Sequence, residues 1–67
     1  MLDQIQLMSV FVAVAEEQGF AAASRRLNMS PPTVTRAIAT LEERLSVKLF
    51  NRTTRYVRAT EAGLRYL

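Results

Sequence analysis

Residues 20–45 of this chain read FAAASRRLNMSPPTVTRAIATLEERL. Apolar residues recur every three or four positions on either side of a three-residue break, which predicts two helices that each bury one face. The first buried set is Phe20, Ala23 and Leu27, and the second is Val34, Ile38, Leu41 and Leu45. Because residues 28–30 form a turn between the two helices, this stretch predicts a helix-turn-helix.

The face of the second helix that points away from this core is polar. It carries Thr33, Arg36 and Thr40, with Thr35 at its margin. Short hydroxyl side chains and a guanidinium fit a DNA major groove, where they hydrogen-bond base edges or phosphates. We therefore expect this face to bind DNA, with Arg36 as the best candidate for a base contact.

The start of the second helix is marked by Ser30 and two prolines. Ser30 is a good N-cap, and proline is tolerated in the first turn, where its missing N–H costs nothing. Since Pro32 disfavours helical backbone at the residue before it, the helix begins either at Pro31 or at Pro32. In both cases the amides of Thr33 and its neighbours are expected to be free to bind a phosphate.

The composition excludes most chemistry. The 67 residues include no Cys and no His, which removes disulfides, thiolate nucleophiles, imidazole bases and most transition-metal sites. A domain this small leaves no room for an active-site cavity of ordinary size. The six carboxylates are expected to be mostly solvated surface charge; they are Asp3, Glu16, Glu17, Glu42, Glu43 and Glu61. We therefore expect no enzymatic activity, no cofactor and no metal.

Charge is unevenly distributed along the chain. Residues 1–19 carry three acidic residues and no Lys or Arg, whereas residues 20–67 carry all nine basic residues and the other three acidic ones. A basic surface of this kind fits a polyanion, although many small domains are basic for solubility alone. The position of the basic residues beside the polar helix face favours the polyanion.

Residues 2–18 are predicted to form a first amphipathic helix, with Asp3 near its start. Its buried stripe is predicted to be Ile5, Met8, Phe11, Val12 and Ala15, opposite Gln6, Ser9, Ala13 and Glu17. Leu7, Val10 and Val14 are then expected to pack on something outside the chain. A secretory signal is rejected because an acid and no base precede the apolar run, and no run is long enough for a membrane span.

Two short apolar runs, Leu49-Phe50 and residues 57–59, are predicted to pair as a hairpin, the wing. Arg52 and Arg55 are placed in its loop and Arg58 on its second strand, where arginines can reach a phosphate backbone or a minor groove. An ordinary solvated hairpin is the alternative interpretation.

The last segment is predicted to open a fourth helix. Thr60 is its N-cap and Glu61 suits the first turn, whereas Gly63 weakens it. Leu64 and Leu67 share one face, which indicates a longer helix cut short. The predicted division is a winged helix-turn-helix domain at 1–59, with the helix-turn-helix at 20–45 and the wing at 49–59, followed by the start of a linker helix at 60–67.

Several motifs occur in a characteristic order. They are MSPPTVTR at 29–36, LEE at 41–43, LFNRT at 49–53 and TEAG at 60–63. This series resembles the N-terminal DNA-binding domain of LysR-type transcriptional regulators, and the resemblance spans essentially the whole chain. It implies a mainly α-helical winged helix-turn-helix with a three-helix core, and binding to promoter DNA in the bacterial cytoplasm, at the nucleoid. It also implies a homodimer or homotetramer in the full-length protein and a small-molecule effector bound by a C-terminal domain outside these residues.

The sequence departs from the family pattern at three places. Gly19 takes the cap position of the second helix, where the family usually has serine. Ser46 stands where a glycine normally closes the recognition helix, which costs roughly 1 kcal/mol if the backbone there is left-handed. Pro31 replaces a frequent glutamine that points at DNA, so base reading is expected from Pro32, Thr33, Thr35 and Arg36 and from the wing's Arg55.

Ser24 and Arg25 are further expected to touch phosphates from the second helix. The complete predicted DNA-binding set is Ser24, Arg25, Pro32, Thr33, Thr35, Arg36, Thr40, Arg52, Arg55 and Arg58. The alternative function is a winged-helix module that binds protein, which would expose apolar or mixed residues where this chain has Thr and Arg. A hydrolase or nuclease lacks any catalytic constellation in the sequence.

Overall fold

A computed structural model of the chain describes residues 3–52 and 57–66. In this part of the chain the elements follow in the order α1 (Gln4–Glu17), α2 (Phe20–Leu27), α3 (Pro31–Leu45), β1 (Phe50–Arg52), β2 (Val57–Ala59) and α4 (Glu61–Tyr66). Helices α2 and α3 are the helix-turn-helix, and β1 and β2 pair antiparallel to form the wing. The predicted mainly α-helical winged helix-turn-helix is confirmed. None of the described helices is long and apolar enough to cross a membrane.

Helix α1 begins with a capping box. The Asp3 carboxylate accepts from the Gln6 backbone N–H at 2.8 Å, and the Gln6 side-chain oxygen accepts from the Asp3 backbone N–H at 3.0 Å. Each side chain thus satisfies a backbone donor that the helix itself leaves unpaired.

Three non-glycine residues with left-handed backbone close the first three helices. Gln18, Asn28 and Ser46 have φ angles of 57°, 56° and 55°. Asparagine tolerates this conformation better than most residues, whereas serine and glutamine do not share that preference. The predicted cost at Ser46 therefore applies, because its backbone is left-handed.

The core lies between α1, α2 and α3 and is closed by the start of the wing. The two predicted stripes of the helix-turn-helix are confirmed, since Ala23, Val34, Ile38 and Leu41 are buried and Phe20, Leu27 and Leu45 are partly buried against them. The Phe50 ring of β1 packs 5.4 Å from the Phe11 ring and 6.4 Å from the Phe20 ring, measured between centroids. These aromatic contacts anchor the wing to the helices.

The predicted buried face of α1 is wrong. The side chains that fill the core are Leu7, Val10, Phe11, Ala13 and Val14, so Leu7, Val10 and Val14 need no outside partner. Ile5 is instead 78% exposed, and the other members of the predicted stripe except Phe11 are only partly buried. The pattern misled because residues 10–15 are all apolar, and an unbroken apolar run does not fix which side of a helix is buried.

In the wing, Phe50 pairs with Ala59, Asn51 with Arg58 and Arg52 with Val57. Arg52 is therefore the last residue of β1 and not a loop residue as predicted. Arg55 lies outside the described residues.

Helix α4 approaches this strand closely. Thr60 is its N-cap as predicted, since its hydroxyl accepts from the Gly63 N–H at 3.0 Å. Gly63 is buried, and a Cβ at this position would lie 2.4 Å from the Leu49 carbonyl oxygen. Glycine has a low helix propensity, but its lack of a Cβ allows α4 to lie against the backbone of Leu49, just before β1.

Candidate nucleic-acid interface

The exposed face of α3 brings the predicted residues together. Thr33 and Arg36 are exposed, and Thr35 and Thr40 are partly buried, on the side away from the core residues of the same helix. Arg36 forms no ion pair with any residue that the structure describes. Its guanidinium, with a fixed fork of donors, is therefore available to an external acceptor.

The N-terminus of α3 does not offer the free amides that were expected. The helix begins at Pro31, with Ser30 as its N-cap, so its first two residues have no N–H. The N–H of Thr33, the residue after the two prolines, donates to the Ser30 carbonyl at 3.0 Å and to the Ser30 hydroxyl at 3.4 Å. The Val34 N–H donates to the same carbonyl at 3.2 Å. The expectation of a backbone phosphate site here is wrong, and this helix end can bind an anion only through side chains.

The two predicted residues of α2 differ sharply in their surroundings. Ser24 is 4% exposed, and its hydroxyl donates to the Ala21 carbonyl at 2.7 Å. This burial withdraws the hydroxyl from the surface on which a phosphate contact was expected. Arg25 is exposed and has no ion pair among the described residues.

The neighbouring Arg26 is held by two acids. Its guanidinium lies 2.7 Å from the Glu16 carboxylate and 3.3 Å from that of Glu17. The hydrogen bond with Glu16, followed by the charge of that carboxylate and the contact with Glu17, raises the pKa of Arg26. Within α2, Arg25 is thus the cation that remains available to an anionic partner.

On the wing, Arg58 is exposed on β2, opposite the exposed Asn51. The backbone places Arg52 at the end of β1, on the neighbouring strand. The roles predicted for Arg52, Arg55 and Arg58 stay predictions.

The start of the wing is held from two sides. The Glu42 carboxylate, on α3, accepts from the backbone N–H groups of Leu49 at 2.7 Å and Phe50 at 3.4 Å. From the other side, the Thr60 N–H donates to the Leu49 carbonyl at 2.8 Å, and the Thr60 hydroxyl donates to the Lys48 carbonyl. Glu42 is partly buried and is thus not the solvated surface charge that was expected. These bonds fix the wing relative to α3.

The structure adds two residues that sequence reasoning missed. An open groove runs along α3 and is lined by Gln6, Leu7, Thr33, Arg36, Ala37, Thr40 and Arg44. Arg44 follows Thr40 by four residues and Arg36 by eight, so helical spacing could have found it. No spacing rule could have found Gln6, because it reaches this groove only through the packing of α1 on α3.

The family model described as "Bacterial regulatory helix-turn-helix protein, lysR family" matches residues 5–64. The HTH-type transcriptional activator AaeR of Escherichia coli (strain K12) is 43% identical over 65 residues, which cover 97% of this chain and 21% of that protein. The chain thus spans about a fifth of the length of this relative.

Two solved structures superimpose closely on the chain. A CbnR_DBD–DNA complex matches with a TM-score of 0.93 and 38% identity, covering 97% of this chain and 75% of that one. A BenM_DBD/catB site 1 DNA complex matches with a TM-score of 0.91 and 36% identity, covering 96% of this chain and 72% of that one. With the fold, the helix-turn-helix and the family match in agreement, the chain belongs to the LysR family of bacterial regulatory helix-turn-helix proteins.

Proposed function

We propose that this chain is the sequence-specific, double-stranded-DNA-binding part of a bacterial transcriptional regulator. The observation that carries the proposal is the exposed face of α3, on which Thr33, Arg36 and Thr40 line one groove with no acidic side chain among the lining residues. The CbnR and BenM chains that superimpose on this one were crystallised as DNA complexes. A protein-interaction module is less well supported, because it would expose apolar or mixed residues where this chain has Thr and Arg.

In this proposal α3 enters the major groove. Arg36 donates to a guanine edge, Thr33 and Thr35 contact bases or phosphates, and Pro32 offers only an apolar contact. Arg25 contacts a phosphate from α2, whereas the buried Ser24 has no part. The arginines of the wing, at positions 52, 55 and 58, contact the backbone or a minor groove.

Residues 1–59 form the DNA-binding unit and residues 60–67 begin a linker helix. We propose that the full-length protein is a homodimer or homotetramer in the bacterial cytoplasm, bound at the nucleoid. An effector would bind in a part of the protein outside residues 1–67. The chain would act by binding and not by catalysis.

The salt dependence of duplex binding tests the proposal. Selection from a library of genomic fragments supplies a preferred duplex, and fluorescence anisotropy measures affinity for it over a range of salt concentrations. If one domain neutralises about four phosphates, the slope of log affinity against log salt concentration is about −3.6. An affinity that stays flat between low and moderate salt would contradict DNA binding and favour the protein-interaction module.

A further inference from the structure

We propose that the first turn of α1 is a further DNA-contacting element, in which the side-chain amide of Gln6 donates to a phosphate oxygen beside the site where α3 enters the duplex. This inference rests on the proposed function and extends it to a part of the chain whose overall charge is acidic. With α2, α3 and the wing, it gives the proposed interface four elements.

The position of Gln6 follows from the groove beside α3. Gln6 is exposed, and it faces Thr33, Arg36 and Thr40 across this groove. An α-helix with its side chains is about 10–12 Å across, nearly the full width of a B-DNA major groove. When such a helix fills the groove, the sugar-phosphate strands at its edges meet whatever protein flanks the helix. On this side of α3 the flanking element is the first turn of α1.

The hydrogen bonds of Gln6 leave it a donor. Its side-chain oxygen accepts from the Asp3 N–H at 3.0 Å, and its NH₂ group, with two donor hydrogens, has no hydrogen-bond partner among the described residues. Because the amide oxygen of Gln6 is used within the protein, this side chain presents donors to the groove. Phosphate oxygens, which only accept, are the complementary partner.

The Asp3 carboxylate weakens the proposed contact with a phosphate. It is exposed in the same turn, where its oxygen caps the Gln6 N–H at 2.8 Å. Its negative charge repels a phosphate, so the wild-type affinity at this contact is lower than the donors alone would give. Asparagine keeps an N-cap acceptor without the charge. Asp3→Asn is therefore expected to bind the preferred duplex severalfold more tightly.

The decisive variant is Gln6→Glu. Glutamate is a favoured residue at this position of a capping box and suits a helix N-terminus, so the fold and its thermal midpoint are retained. The two unpaired donors of the Gln6 amide are replaced by an acceptor with a negative charge. Because a hydrogen bond to a charged group is worth more than a neutral one, we expect affinity for the preferred duplex to fall about tenfold or more.

Ile5→Glu is the matched control. It adds the same charge one residue earlier, on a side chain that lines the other side of α1 with Met8 and Val12. Salt at about 0.15 M screens exposed charges beyond roughly 8 Å, so this control is expected to change affinity by less than about twofold. Equal losses in Gln6→Glu and Ile5→Glu, or no gain in Asp3→Asn, would overturn the inference while wild-type binding continues to support the proposed function. A wild-type chain that binds no duplex would overturn both.

Discussion

Arg36 and Arg58 are both exposed, but they stand on elements that meet DNA differently in the proposed complex. Arg36 projects from the early turns of α3, where a guanidinium can bind a guanine edge through two hydrogen bonds. Arg36→Ala is therefore expected to cost about 1–3 kcal/mol on the preferred duplex and little on a scrambled one. Arg58→Ala is expected to weaken both duplexes alike and to reduce the magnitude of the salt slope by about 1.

Anisotropy titrations of both variants against the preferred and scrambled duplexes separate base reading from backbone anchoring. If Arg36→Ala loses the same affinity on the two duplexes, Arg36 is a phosphate anchor. Base reading would then fall to Pro32, Thr33 and Thr35.

The left-handed residue at the end of α3 offers a test of stability without a change at the proposed interface. Ser46 has a φ angle of 55°, and glycine adopts this conformation without the clash of a Cβ. Ser46→Gly is expected to raise the free energy of unfolding by roughly 1 kcal/mol, less the entropy that glycine gains in the unfolded chain. For a domain of this size that gain corresponds to an increase of about 4–8 °C at most in the thermal midpoint.

Asn28→Gly is the control for this prediction. Asn28 has nearly the same φ angle, 56°, but asparagine already tolerates it, so its replacement should gain less. Thermal unfolding followed by circular dichroism compares the two variants. An equal gain at both positions would mean that asparagine is no better suited to this backbone than serine, and no gain at Ser46 would contradict strain at that residue.

Single residues also show where sequence reasoning reaches its limit. The exposure of Arg36 follows from its spacing against Val34 and Ile38, which the chain itself displays. Ser24 follows Phe20 by four residues and precedes Leu27 by three, so helical spacing places it on the buried face, and only its polar side chain suggested the surface. The capping role of Glu42 depends on backbone donors beyond the end of its helix, and spacing carries no information about them.

Among the elements, the wing and α3 are joined by one carboxylate. Glu42 accepts from two backbone N–H groups at the start of β1, and these donors would be left unpaired if the acceptor were removed. We expect Glu42 to act as a positioning residue. By holding the start of β1 against α3, it keeps the wing arginines within reach of the phosphates that flank α3 in the proposed complex. Glu42→Ala is expected to destabilise the domain by about 1–3 kcal/mol and to flatten the salt slope by about 1, as Arg58→Ala does.

Glu42→Gln is the control for Glu42→Ala. Both variants remove the negative charge, but glutamine keeps a side-chain oxygen that can accept a hydrogen bond. Glu42→Gln should keep most of the wild-type salt slope when binding is measured well below the thermal midpoint, where both variants are folded. In the Arg58→Ala background, the difference between the two Glu42 variants should shrink, because coupled groups are not additive. The same slope in both variants would show that other contacts, such as those of the Phe50 ring, position the wing.

The contrast between α1 and α3 explains why one helix was predicted well and the other was not. In α3, polar residues separate Val34, Ile38 and Leu41, so only one face can be buried. In α1 the apolar run at residues 10–15 leaves the buried face undetermined until α2 and α3 pack against it. The role of Gly63, like the buried face of α1, depends on packing between elements, because it follows from the contact of α4 with the Leu49 carbonyl.

At the scale of the whole molecule, the described surface offers little for self-association. Its exposed large hydrophobic side chains are Ile5 on α1 and Leu64 and Tyr66 on α4. A standard interface buries about 800 Å² on each partner, and three side chains on two elements do not form the apolar centre of such a patch. We therefore expect the 67-residue chain to be a monomer at micromolar concentration.

The dimensions of the molecule give this expectation a consequence on DNA. The chain measures 28 × 27 × 17 Å along its principal axes, whereas half-sites one helical turn apart are separated by about 34 Å. Two copies on adjacent half-sites would therefore share little surface. Binding to a duplex with two half-sites should show a Hill coefficient near 1. The affinity at each half-site should equal the affinity for a duplex that carries one half-site.

Sedimentation velocity of the chain alone, and anisotropy titrations of duplexes with one and two half-sites, measure these two quantities. The monomer should persist across the concentrations used in the titrations. A tight dimer in solution would contradict the argument from exposed surface. Leu64→Lys and Ile5→Lys would then locate the interface, because a charge placed at an apolar interface centre breaks it whereas the same charge elsewhere does not.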